Sequence, residues 1–538
     1  MRKHTTIQNL WLALFFIAGL MGNSTLFASN WDTYWASQWH KKAQEGDDQA
    51  QFNLGLMYYE GEGVSQDYKL AAEWFEKAAN QNNVQAQFNL GLMYYEGQGV
   101  FQDYKTAIKW FEKAAAQDDP SAQCNLGVIY AEGQGVPQDY KTAASWYQKA
   151  ALQGNAQAQW NLGVMYYKGQ GVDQDFKTAA TWFEKAAWQD NEQAQFILGF
   201  MYNEGQGVPK DHKTAATWFE KAATQDNVQA QFNLGLMYYE GQGIPQDYKM
   251  AVEWFEKAAN QGDAQAQFNL GLMYYEGQGF PRNAKLAAEW CRKAAEQGDS
   301  GAQFTLGFLY YEGQGVDQNY EEAHKWYEKA AALDHPQAQF NLGLMYFEGQ
   351  GGPQDYQAAF YWCEKAAKQA DPGAQSAVGF MYYQGLGVKQ DLEEAFKWYL
   401  KAAQQGNAQA QFNLGSMYYE GQGIATNYPE ALKWYEKAAE QDNVQAQFNL
   451  SLMYYEGQGT PQNYQEAYKW GEKAAKQGDA GAQVMLGFMY YEGQGVTRNY
   501  KEALKWYEKA AKQGDEEAQK MAEILQKKLR KKHSSLRR

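Results

Sequence analysis

A single 36-residue period runs from residue 48 to residue 515 without insertion or deletion. A glycine stands at 55, 91, 127, 163, 199, 235, 271, 307, 343, 379, 415 and 487, with Ser451 in the missing slot, and a tryptophan recurs every 36 residues from Trp74 to Trp506. Strict self-similarity at this length means a stack of small units. Each unit buries its apolar face only against its neighbours. Thirteen units fill the span, so the chain is predicted to be a solenoid and not a set of separate globular domains.

The second unit, VQAQFNLGLMYYEGQGVFQDYKTAIKWFEKAAAQDD, predicts two helices. In the first, over 84–96, Ala86, Leu90 and Tyr94 share one face. Gly91 costs about 1 kcal/mol inside a helix relative to alanine, so its repetition demands a packing reason. Gly97 and Gly99 recur in all thirteen units and predict a left-handed helix stop. The next helix starts at an Asp or Asn slot, Asp103 here, that suits an N-cap. Ala107, Trp110 and Ala114 then mark its buried face. Lys113 sits late in that helix, favoured by the helix dipole, with its stem expected across the packed alanines.

The ends break the period. Arg2 and Lys3 precede an apolar run from Leu10 to Met21, which reads as a signal peptide over 1–28, too short to span a bilayer. Residues 29–47 resemble a lone second helix and are predicted to cap the stack. Residues 516–538 are predicted to be a closing helix over 516–529 with a basic, solvated tail.

Net charge is −15; setting aside +2 in 1–28 and +7 in 527–538 leaves −24 on the body. Such a body repels nucleic acid and anionic membranes. Cys124, Cys291 and Cys363 are too far apart in a stack for a disulfide and read as small buried hydrophobes. The histidines are scattered with no metal-ligand spacing, and the Gly-x-Gly strings lack the lysine and Ser/Thr of a phosphate loop. No catalytic residue, metal site or cofactor is expected.

These units resemble Sel1-like repeats, relatives of the tetratricopeptide class. The resemblance rests on AQFNLG, MYYEGQGV, the DYK or NY start and A-x-x-W-x-x-KAA, over about residues 46–520. It implies an all-α, right-handed superhelical solenoid of antiparallel helix pairs that acts as an adaptor or scaffold, and many bacterial members are exported. One branch, linked to penicillin binding and β-lactam hydrolysis, has a disulfide in each repeat, and the paired cysteines are missing here.

In solenoids of this class first helices line the concave surface. Asn89 and Glu96 form a polar arc there, flanked by Leu92 and Met93. Stacked, the arc gives an asparagine ladder of Asn53, Asn89, Asn125, Asn161, Asn233, Asn269, Asn341, Asn413 and Asn449, interrupted by Ile197, Thr305, Ala377 and Met485. The ladder has two readings, bonding between units for stability or holding an extended peptide backbone. Units that break the pattern are the better candidates for selectivity. Trp160 joins the candidate binding set on that ground, with Trp188, Ala131 and Asn203 as further departures. The expected function is an exported, monomeric scaffold for protein partners, periplasmic or secreted. The alternative is an envelope hydrolase or glycan-binding protein.

Overall fold

The computed structural model describes residues 38–535. The signal segment expected at 1–28 and residues 29–37 of the expected capping helix lie outside the described residues; 38–44 are helical. Regular structure among the described residues is entirely helical, and it gathers into two compact units that part between Gln261 and Gly262. Each unit is a stack of helix pairs.

The second repeat shows why this sequence makes a pair. Its first helix is Val84–Glu96 and its second is Tyr104–Ala115. Asn83 caps the first by accepting the Ala86 amide hydrogen at 2.9 Å. Gly97 stops it at φ 77°, donating its N–H to the Met93 carbonyl. Asp103 caps the second helix through the Lys105 amide, and its own N–H donates to the Tyr94 carbonyl at 2.9 Å, which closes the loop.

Gly91 is explained by its partner. A Cβ there would lie 2.7 Å from the Phe111 ring, which rests on the bare backbone. Phe75, Tyr147, Phe183 and the corresponding rings cover the corresponding glycines in the same way. Trp110 reaches back into the preceding repeat and packs with Ala71, Phe75, Leu90 and Met93. Met93 is thus a core residue; it does not flank the polar arc. The repeated lysine also differs from expectation. Its ammonium lies over the tryptophan ring one turn earlier, 3.7 Å from the Trp74 centroid for Lys77 and 3.8 Å from Trp110 for Lys113. The cation–π attraction places the head group on the indole face.

A buried glutamine ladder joins successive repeats, and the periodic hydrophobic pattern did not reveal it. Gln87 is fully buried and donates to the Ala79 carbonyl at 3.0 Å. Its oxygen accepts from Gln117 at 2.9 Å. The same arrangement pairs Gln81 with Gln51, Gln225 with Gln195 and Gln441 with Gln411. In repeat 300–335 the donor is replaced by Leu333, which is exposed, and the buried Gln303 Oε1 has no hydrogen-bond partner. Restoring the donor with Leu333→Gln is expected to stabilise the protein by about 1–2 kcal/mol, the cost of an unmet buried acceptor. Urea denaturation of the two proteins checks this, and an unchanged or lower midpoint counts against the ladder's energetic role.

The same junction carries an unusual cap. His335 stands where other first helices have Asp or Asn. Its Nδ1 accepts from the Ala338 amide at 3.3 Å, and its ring stacks on Phe304. Burial holds the imidazole below its ordinary value of 6.5, opposed in part by Asp299. The fold therefore favours the neutral ring, and protonation would remove the cap's acceptor. Stability from this site is present above the ordinary value and is lost as pH falls below it. His335→Asn is expected to recover about 1 kcal/mol at pH 5 and much less at pH 7.5. Melting at both pH values checks the difference. His324, also held low by burial, leaves a residual pH dependence in the variant.

The closing helix is Glu516–Ser535, longer than expected. Ala518, Ala522 and Leu525 bury against Ala503 and Tyr507. Lys528 lies over Tyr500 and Tyr491, at 4.0 and 5.1 Å. The basic segment thus begins as part of the stack.

Candidate functional site

The asparagine slot lies half-buried on each first helix, opposite the ring position of the preceding repeat's second helix. What stands at that ring position decides what the asparagine does. Where the ring is a tyrosine, the asparagine meets its buried hydroxyl: Asn161 with Tyr147, Asn341 with Tyr327, Asn413 with Tyr399 and Asn449 with Tyr435. Burial pushes these phenols up, and the amide contact moderates the shift. Where the ring is a phenylalanine, the amide turns to its own helix. Asn89, Asn125 and Asn233 donate to the carbonyls of Gln85, Ser121 and Gln229. Asn53, Asn161 and Asn413 accept from the glutamine one turn earlier, and Asn269 is half-buried at the same slot.

The interruptions follow the same logic. Thr305, Ala377 and Met485 come after the second helices whose ring is replaced by Cys291, Cys363 and Gly471. Repeat 444–479 makes the exchange explicit. Its ring is Gly471, its glycine is Ser451, and the Ser451 hydroxyl donates to the Ala467 carbonyl and touches Met485 Sδ. Ile197 packs in the same apolar cluster as Phe183. The breaks in the ladder are therefore packing compensations.

Trp160 is half-buried with its ring 5.1 Å from Phe183, within its own repeat. Trp188 is exposed at the end of a second helix, against Trp218 and under Lys221, away from the first-helix face. Cys124, Cys291 and Cys363 are free and buried, and burial pushes their thiols up, to about 11, about 12 and about 12. No cluster of His, Cys, Asp or Glu among the described residues is arranged to hold a metal ion.

Depressions open between adjacent first helices in each compact unit. The first, about 150 Å³, is bordered by Asn203, Phe219, Asn233, Leu236, Met237 and Glu240. It exists because Asn203 replaces the tyrosine usual at its slot. In seven repeats that tyrosine packs against another at the start of the second helix, as Tyr59 does against Tyr68. Here Asn203 bonds to His212 instead, at 2.9 Å, and the ring volume is left open. The second, about 270 Å³, has an aromatic floor of Phe380, Tyr383, Tyr399 and Phe412 beside Ser416 and Glu420. Ser416 is the cause: the slot holds Leu, Val or Phe in every other repeat. Sequence reading missed Ser416 because one polar residue at a slot flanking the polar arc looks like an extension of that arc.

Carboxylates rim this face. Glu60, Glu96, Glu132, Glu204, Glu240, Glu276, Glu312, Glu348, Glu420, Glu456 and Glu492 end the first helices, all exposed. Lys168 and Gln384 are the exceptions. A carboxylate at a helix C-terminus is electrostatically unfavourable, and no salt bridge among the described residues neutralises these eleven. The arrangement can hold cationic or hydrogen-bonding groups.

No helix among the described residues is long and apolar enough to cross a membrane. No curated protein matches the chain. Its structure is similar to that of c5321, a protective antigen present in uropathogenic Escherichia coli strains, with a TM-score of 0.73 and 35% identity over 91% of this chain and 97% of that one. It is also similar to a Sel1 repeat protein from Oxalobacter formigenes, 34% identical over 61% of this chain and 93% of that one, with a TM-score of 0.48. Helicobacter pylori cysteine rich protein B matches 25% of the chain at 28% identity, with a TM-score of 0.21. The Sel1 repeat model matches thirteen consecutive segments, 48–83 through 480–515. With helix pairs, caps and period all in agreement, the chain belongs to the Sel1 repeat family.

Proposed function

We propose that this protein is an exported scaffold that binds other proteins through the face of its first helices. The observation that carries the reading is a carboxylate rim that no salt bridge among the described residues neutralises, with depressions at Asn203 and Ser416, where individual repeats depart from the pattern. A stack held together by its other residues has no structural need for that rim. Stacked helix pairs present extended surfaces suited to protein partners. Export rests on Arg2, Lys3 and the Leu10–Met21 run, with cleavage after Ala28 and residence in the periplasm or outside the cell. The Escherichia coli relative's description as a protective antigen is consistent with such a place.

Photo-crosslinking in the native cell tests the surface. A crosslinker at position 233 or 413 is expected to capture the same protein partner saturably. One at exposed Lys141 or Lys433, on second helices, is expected not to. Equal capture from both faces, or none from either, would sink the proposal. Fractionation with mass analysis of the mature N-terminus tests export separately.

A further inference from the structure

We propose that the depression between repeats 372–407 and 408–443 is a receptor for a basic side chain, arginine above all, presented by an extended protein segment. This rests on the reading of the first-helix face as the binding surface, and it names the chemistry one site selects.

The floor is aromatic and the mouth is polar. Phe380 and Phe412 are partly exposed rings, while Tyr399 is buried below them. Ser416 leaves open the space that an apolar side chain fills in the other repeats. Its hydroxyl is engaged with Tyr435 at 2.9 Å, so the opening is shaped by the fold. Glu420 stands at the edge, and no basic residue borders the depression. Gln384 replaces the neighbouring rim glutamate, so Glu420 is the carboxylate at this mouth.

These features fit one occupant better than others. An aliphatic side chain would fill the floor but offer Glu420 no partner. An acidic one would meet like charge. An arginine lays its stem and planar guanidinium on the rings while its edge reaches the carboxylate. The protein uses similar chemistry internally, with lysine ammonium groups 3.7 to 5.6 Å from tryptophan centroids. The surplus of 63 acids over 48 bases favours a basic partner at long range.

The test uses the full mature chain and a fluorescein-labelled peptide of alternating glycine and arginine, followed by anisotropy. The matching citrulline peptide keeps the shape and removes the charge. Binding of the arginine peptide is expected to exceed that of the citrulline peptide by about tenfold or more. Ser416→Leu, which installs the residue found in six other repeats, is expected to weaken it about tenfold by closing the floor. Glu420→Gln is expected to do the same and to flatten the salt dependence. Glu253→Gln, at an exposed position on a second helix, should change binding less than about twofold. Melting curves confirm that each variant is folded; the exposed Glu420→Gln keeps the test decisive if Ser416→Leu is not. Equal loss from Glu253→Gln and Glu420→Gln, or full binding by Ser416→Leu, would overturn the receptor and leave the scaffold reading standing. Failure of the crosslinking experiment as well would remove both.

Discussion

Replacing Trp254 with alanine is expected to lower stability by about 3–5 kcal/mol. The indole is 6% exposed and packs with Ala215, Ala216, Phe219 and Leu234 across the boundary between repeats 192–227 and 228–263. Burial of a side chain this size is worth roughly 4–6 kcal/mol gross, and alanine leaves a cavity that rigid helices fill poorly. The Lys257 ammonium, 3.7 Å from the ring centroid, also loses its partner. The loss should be local, because a stacked repeat is held by its nearest neighbours. Native-state hydrogen exchange is therefore expected to show faster opening in these two repeats and little change in repeats 48–83 or 480–515. Trp362 offers a contrast: it is only half-buried, with Lys365 5.3 Å away. Trp362→Ala should cost clearly less. Equal losses, or uniform opening along the whole chain, would rule out this account.

The fold was legible because repetition averages out noise. One Asp103 is a weak helix signal, but an Asp or Asn at that slot in thirteen repeats is a strong one. What stayed hidden depends on contacts between repeats. Gln87 reads as an ordinary polar position until the stack buries it and brings its amide 3.0 Å from the Ala79 carbonyl of the preceding repeat. Met93 read as a flank of the polar arc because one helix's period does not reveal that the preceding repeat's second helix and Trp110 cover it. The asparagine ladder was visible, but its meaning lay in another helix, at Tyr147 or Cys363. The binding face was legible only in outline. Its rim of glutamates is periodic, whereas its depressions come from two single substitutions, Asn203 and Ser416, whose effect is missing volume.

The exchange seen in repeat 444–479 should be portable, and this gives the second large effect. In repeat 84–119, Gly91→Ser alone is expected to cost about 1–3 kcal/mol by overpacking, since its Cβ would lie 2.7 Å from the Phe111 ring. Phe111→Gly alone should cost about 4–6 kcal/mol, the cavity plus the helical penalty of glycine. Made together, each relieves the other. Serine enters the space the ring has left, and its hydroxyl gains the Ala107 carbonyl, as Ser451 does with Ala467. Adding Asn125→Met fills the remaining volume as Met485 does. The triple variant is expected to be more stable than the sum of its parts by at least about 1–3 kcal/mol, a coupling typical of residues in direct contact. Chemical denaturation of the singles, the double and the triple measures it. Additive losses would mean that Ser451, Gly471 and Met485 do not compensate one another. The breaks in the asparagine ladder would then need a cause outside the core, and selection by a bound partner would be the remaining explanation.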